Sequence, residues 1–521
     1  MRYLILSLVF GMTSALSAQC SFGFAVRAEV SGGTLEGCYD TKSGVQKYLG
    51  VPFAAPPVGE LRWRAPQVHG GWAGVREAKS FGPRPVQKFL YDDMVFRSPS
   101  VSEDCLYLNV WTPMRKGDDD LAVLLYFNGG GNTTGSGDEI RYDGERLARE
   151  ENIIVVTANY RLGVFGFLAH TQLSAEAEYG GSGNYGLLDQ QMAIRWVREN
   201  IGAFGGNPEK ITIGGESAGS IDVSCHMTSP LSRELIAGAI GQSGAAINPT
   251  FTPVPLAEAE ATGAEFLART GYASIAQLRA APTRDIYEAF AFGPSLPLRP
   301  VIDGYFLTEQ LPETFRAGKQ AQIPLLVGWT SAEMAWLPAP EGPEAYEASL
   351  RSEFPDQADA LLEAYPSSDA YASLLQLRAD RWIVYSTWKW AELHAENSEA
   401  PVYRYRFDRI RPPLVGQDRP TPPPGAGHAT DIEYFFDNLH LATQYQWTAA
   451  DRETAAQIRR YVGNFVRQGD PNSLSGDIAA MLPFWRRMDK VAGERQVMHL
   501  DSTVELRVAE REGRFATLGF D

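Results

Sequence analysis

The run Gly215–Glu216–Ser217–Ala218–Gly219 sets a serine between two glycines, directly after the apolar stretch Lys210–Gly214 and before the helix-like stretch Ala218–Met227. A serine hydroxyl is a weak nucleophile until it is lifted clear of its neighbours and a base removes its proton. A Gly-x-Ser-x-Gly turn between strand and helix does the lifting, because the serine occupies a sharp corner with its hydroxyl exposed. The flanking glycines let neighbouring elements pass where a Cβ would clash. The pentapeptide alone is a weak signal, since a structural glycine turn reads the same; its position between strand and helix makes it a nucleophile elbow.

The base must come from seven histidines. Where such an elbow is used, the chain order is Ser, then Asp or Glu, then His, which demotes His69, His170 and His226. His394 falls in an amphipathic helical stretch, His440 in a helical or irregular run, and His499 in a short strand-like segment. His428 lies in a Gly/Pro-rich loop after a predicted strand, from which an imidazole can reach Ser217 across the sheet edge. The orienting carboxylate is assigned to Glu333, four residues past the predicted strand Ile323–Trp329. Asp303, in Pro300–Gly304, is the rival, and its glycine neighbour favours a turn role. The acid would hold one imidazole tautomer and stabilise the imidazolium. Gly129–Gly131 follow another predicted strand, and bare glycine N–H groups can converge on a developing alkoxide. An oxyanion hole of Gly130, Gly131 and Ala218 is therefore expected. Asn132–Thr133–Thr134 spells a glycosylation acceptor, rejected because a glycan there would block the site.

The elements that hold these residues in register are legible as alternating strands and helices. Leu121–Asn128, Ile153–Asn159, Lys210–Gly214, Ile323–Trp329 and Val402–Phe407 read as strands. Gly186–Phe204 carries Leu188, Met192, Ile194, Trp196, Val197 and Ile201 at helical spacing. This alternation predicts an α/β architecture, a mostly parallel sheet with helices on both faces. Arg411–Gly427, with six prolines and three glycines, reads as a long functional loop inside one domain.

A chain of 521 residues with 44% hydrophobic and 21% charged residues is neither disordered nor fibrous. Its net charge of −16 argues against binding nucleic acid or an anionic membrane. Arg2, the apolar run Leu4–Met12 and the small residues through Ala18 read as a signal peptide over residues 1–18; the alternative is a buried N-terminal strand. That run is too short to span a bilayer. Export to a periplasm or the medium is expected, leaving residues 19–521 as a single domain. Cys20 and Cys38 could then pair across an N-terminal hairpin or remain free.

Taken with these residues, the motifs Tyr48–Gly59, Ser102–Pro113, Asn159–Leu168, Gly183–Ser220, Gln242–Gly244, Pro300–Gly304, His428–Phe436 and Gly469–Asn472 resemble the type-B carboxylesterase/lipase family, cholinesterase-like α/β-hydrolases. The resemblance spans almost the whole mature chain. It implies an α/β-hydrolase fold, with Ser217, Glu333 and His428 on the triad positions and Gly130, Gly131 and Ala218 on the oxyanion hole. Glu216 matches the acidic residue beside the nucleophile, and Phe290 and Phe292 fall where relatives line the acyl pocket. Arg62 with Glu103, and Arg161 with Asp189, look like the family's structural ion pairs. Asn128 and Asn132 depart from the family's usual residues and imply a more polar lining behind the oxyanion loop. Cys105 matches a family disulfide position whose usual partner is here Pro85, which implies a buried, reduced thiol. Residues 88–104 lack the tryptophan that holds quaternary ammonium groups, which argues against a choline ester.

The expected activity is hydrolysis of a small-molecule carboxylic ester by a secreted serine carboxylesterase, without metal or organic cofactor. Two rivals are a lipase, which would need an apolar lid near Lys88–Asp104, and a catalytically silent adhesion module. Neither the ester nor the oligomeric state is legible in the sequence.

Overall fold

The computed structural model describes residues 23–114, 120–419, 421–472, 482–488, 495–509 and 511–520. The signal-peptide assignment and Cys20 lie outside them. Thirteen strands form one sheet. They are β1 Gly23–Val30, β2 Gly33–Asp40, β3 Val45–Pro52, β4 Val75–Glu77, β5 Tyr107–Pro113, β6 Leu121–Phe127 and β7 Ile154–Ala158. The others are β8 Gly206–Glu216, β9 Gly238–Gln242, β10 Leu325–Thr330, β11 Val402–Phe407, β12 Gln496–Leu500 and β13 Glu505–Val508. The order is β1-β2-β3-β5-β7-β6-β8-β9-β10-β11-β12-β13, with β4 beside β2. From β7 through β12 every pairing is parallel; the flank β1-β2-β3-β5-β7 and the last pair are antiparallel.

The central strands are apolar on both faces because both faces are covered. Successive side chains of β6 alternate: Val123, Leu125 and Phe127 enter one core cluster, while Leu124 and Tyr126 enter the other. Helices α1 Tyr185–Asn200 and α2 Ala218–Thr228 supply the first layer, burying Leu187, Ile194, Val197, Ile221 and Val223. The second layer is the long helix Ala449–Gln468, which presents Ile458, Tyr461, Val462 and Phe465 to the sheet. Its start is fixed by reciprocal Thr448 and Asp451 hydrogen bonds, a capping box. This is the α/β-hydrolase arrangement expected from the sequence.

The predicted strand Val402–Phe407 is found with the same ends, the strands Leu121–Asn128, Ile153–Asn159 and Ile323–Trp329 with ends moved by one or two residues, and Lys210–Gly214 extends to Gly206–Glu216. Helix Gly186–Phe204 is realised as α1 followed by the 3₁₀ turn Ile201–Phe204. Both ion pairs form, Arg62–Glu103 at 2.6 Å and Arg161–Asp189 at 2.7 Å, each buried. Arg62 also donates to the carbonyls of Arg279 and Ala281, tying residues far apart in the chain. Cys105 is free and buried and lines a small internal void with Pro85, where the missing bridge would lie. Cys38 is disulfide-bonded.

Candidate active site

Parallel strands bring the residues that follow them to one edge, the carboxyl ends, where open α/β sheets hold their ligands. Gly129–Gly131 follow β6, Ser217 follows β8, Glu333 follows β10, and His428 is carried by the long loop after β11.

Ser217 has φ 54° and ψ −119°, a backbone state that costs a non-glycine residue energy and persists only where its surroundings impose it. Two features impose it here. The Ser217 N–H donates to the Gln242 carbonyl at 2.8 Å. Strand β8 and helix α2 also pass so closely that a Cβ on Gly215 would stand 2.3 Å from the Gly219 carbonyl carbon. The corner presents the Ser217 hydroxyl to His428 Nε2 at 2.9 Å.

The Nδ1–H of His428 donates to Glu333 Oε2 at 2.5 Å. Glu333 is fully buried, and its other oxygen accepts from Ser243 Oγ at 2.6 Å and the Thr330 N–H at 2.7 Å. Those donors fix the carboxylate, and the carboxylate fixes the ring. The loop that carries His428 is pinned to the turn that carries Glu333. Ala426 N–H donates to Ser331 Oγ, and Ala332 N–H donates to the Ala426 carbonyl. Beyond the histidine, buried Asp431 accepts from Gln242 Nε2 and the Tyr405 hydroxyl.

Asp303, the rival acid, instead accepts the N–H groups of Tyr305, Phe306 and Leu307 and the Asn184 amide. It holds a turn. Two of the other histidines are also accounted for. His226 and His394 are buried, bonded to Gln190 and to the Ile323 carbonyl, respectively, and burial holds their imidazoles well below the usual value, at about 3 and about 4.

Gly130 and Gly131 have φ of 105° and 62°, and Ala218 is the first residue of α2. Among the described residues none of these three N–H groups has a hydrogen-bond acceptor. Behind them, Asn132 is buried, donating to Asp222 at 3.0 Å and accepting from the Tyr160 hydroxyl at 3.0 Å. That is the polar backing expected from the Asn132 departure, and it places the glycosylation sequence out of solvent.

A cavity of about 400 Å³ opens onto Ser217 and His428, lined also by Tyr91, Asp93, Met94, Gly130, Arg141, Glu216, Trp336, Trp382 and Ala429. Glu216 is buried with Oε1 3.3 Å from His428 Nε2. Burial pushes its carboxyl up to about 8. Burial acts to lower the His428 imidazole, but Glu216 and Glu333 outweigh it and raise it to about 9.

Phe290 and Phe292 do not line this cavity, which corrects their assignment to the substrate pocket. The helix Thr283–Ala291 turns Phe290 inward against a satellite core with Val164 and Phe266, and Phe292, its C-terminal cap, is 81% exposed. The aromatic walls come from Trp336 and Trp382 instead. Trp382 packs on the His428 ring at 4.7 Å between centroids. It sits in a π-helical turn, Asp380–Val384, between the helices Ala370–Ala379 and Tyr385–Glu396, and such turns recur at functional sites. Helical periodicity gave no sign of it. Ser243 and Asp431 were also missed as supports, although both fall inside quoted motifs.

Comparison with known proteins places the chain in a family. The family described as "Carboxylesterase family" matches residues 25–517. The fumonisin B1 esterase of Sphingopyxis macrogoltabida is 37% identical over 431 residues, covering 78% of this chain and 74% of its own. The acylcarnitine hydrolase of Mus musculus is 32% identical over 513 residues, covering 92% and 88%. The cocaine esterase of Homo sapiens is 32% identical over 501 residues, covering 90% and 86%.

Proposed function

This chain belongs to the carboxylesterase family and is a carboxylic-ester hydrolase, and from that premise we propose that it works through an acyl-enzyme on Ser217 with His428 as base and Glu333 as orienting acid. Ser217 Oγ adds to the ester carbonyl as His428 Nε2 takes its proton. The alkoxide that forms rests on the N–H groups of Gly130, Gly131 and Ala218. Collapse of this intermediate breaks the bond to the alcohol oxygen, which leaves with the proton from His428. Water then gives its proton to His428 and adds to the acyl carbon; the second collapse returns the proton to Ser217 and frees the acid.

The observation that carries the reading is the continuous relay from Ser217 through His428 to Glu333, 2.9 Å and 2.5 Å long. An organophosphonate tests it. The expected result is a mass increase located on Ser217 together with loss of turnover; a folded protein left unlabelled and active overturns the reading.

The names of the relatives specify different esters and do not fix this one. One observation favours a second reading, a lipase acting at lipid interfaces: Phe89, Leu90, Tyr91 and Val95 are exposed within Lys88–Asp104, and Tyr91 lines the cavity. Rates on emulsified long-chain esters that jump above the solubility limit would support it, and saturation on soluble short-chain esters without a jump would oppose it.

A further inference from the structure

A guanidinium keeps its charge at every physiological pH and presents five N–H donors in a fixed fork, so burying it without partners is costly. The Arg141 side chain is 3% exposed, yet it lines the same cavity as Ser217 and His428. It sits in the 3₁₀ turn Ile140–Tyr142, downstream of the glycine loop. Its Nε donates to Glu139 and its Nη1 to Asp93 at 3.1 Å. Its Nη2 has no hydrogen-bond partner among the described residues. Unlike Arg411 Nε and Arg161 Nη1, it is not among the buried side-chain atoms sealed without a partner. The remaining donor therefore keeps surface that faces the cavity.

The charges around it leave room for an anion. Asp93 is shared between Arg141 and Arg411, at 3.1 and 3.2 Å, and Glu433 pairs with Arg411 at 2.6 Å. Glu139 is engaged by Arg141 through Nε and Glu216 faces His428 Nε2 at 3.3 Å, so neither carboxyl occupies Nη2. The other walls, Met94, Trp336 and Trp382, are apolar and suit the uncharged remainder of a substrate.

We propose that the ester taken by this site carries a free carboxylate and that Arg141 is the residue that binds it, through Nη2. The proposal rests on the reading of Ser217 as the nucleophile of an ester hydrolase. Arg141 is on this view a specificity residue that takes no part in bond making.

The carboxylate could belong to the acid or the alcohol half of the ester, so two matched pairs are needed. One pair is a glutaric acid half-ester and the corresponding glutaramic acid ester; the other is a simple acyl ester of 4-hydroxybutyrate and of 4-hydroxybutyramide. Carboxylate and carboxamide match in shape and differ in charge, and a hydrogen bond to a charged group is worth about a tenfold preference or more. The expected result is a kcat/KM ratio favouring the carboxylate by at least about tenfold in one pair, carried mainly by KM. Arg141→Gln should bring that ratio to near one and Arg141→Lys should retain part of it. Because each ratio is taken within one preparation, loss of folded protein cancels. Should Arg141→Gln fail to fold, Arg141→Gln combined with Glu139→Gln removes both ends of the buried pair and is read in the same way. Equal rates on both members of both pairs in the unsubstituted enzyme, or a preference untouched by the substitutions, overturns the proposal and leaves the ester-hydrolase reading standing. Failure to hydrolyse any of the four esters, together with no organophosphonate on Ser217, overturns both.

Discussion

Ser217, His428 and Glu333 act as one unit, so replacing each should cost a different amount. Ser217→Ala removes the nucleophile and should lower kcat by on the order of 10⁶. Glu333→Gln keeps the shape but presents an amide to His428 Nδ1, favouring the wrong tautomer, and should cost about 10⁴. Steady-state kinetics on a chromogenic ester checks both, and an equal mild loss in the two variants would contradict the roles assigned. The pH dependence follows from charge. His428 must be neutral to accept the Ser217 proton, and the carboxylates of Glu216 and Glu333 stabilise its protonated form, raising it to about 9. The acid limb of kcat/KM should therefore lie above the ordinary histidine value of about 6.5, with activity lost as pH falls through it. Glu216→Gln removes a negative charge 3.3 Å from Nε2, which disfavours the imidazolium, so the limb should move to lower pH. A limb that stays in place in the pH–rate profile would show that Glu216 does not set the base.

At the scale of elements, the elbow is held by how closely two segments pass. A Cβ on Gly219 would fall 2.3 Å from the Phe127 carbonyl oxygen, and no rotamer can relieve a clash with backbone. Gly219→Ala should destabilise the protein by about 3 kcal/mol, read as a lower denaturant midpoint, and should lower activity further through misplacement of Ser217. An unchanged midpoint would mean that β6 and α2 have slack here. The glycines, the elbow, the strands and the three residues of the relay were legible because each is a local pattern: an apolar run, a turn signal, a fixed chain order. The cavity walls were not. Trp336 and Trp382 meet at 5.4 Å from segments with no shared periodicity. A π turn adds one residue to a helix without changing which residues are apolar. Phe290 and Phe292 failed as pocket residues for the complementary reason: an amphipathic helix of nine residues has two faces, and composition does not say which face meets the substrate.

For the whole molecule the open matter is the compartment in which it folds. Among the described residues no helix is long and apolar enough to cross a membrane. The chain has four cysteines, of which Cys105 and Cys225 are free and buried while Cys38 is disulfide-bonded. Disulfides persist where the surroundings are oxidising and are rare in a reducing cytosol. Together with the charged, apolar and small-residue segments of the first eighteen positions, this supports our proposal that the protein is exported and cleaved near Ala18. Cys38 lies on β2, paired with Lys47 of β3 on one side and Ala25 of β1 on the other. Protein recovered from the periplasm or medium should have an N-terminus just after Ala18 by intact mass. Thiol titration in denaturant should find two reactive groups per chain before reduction and four after it. Four thiols without reductant, or an exported chain that still carries Met1, would place folding in a reducing compartment or remove the leader from the account.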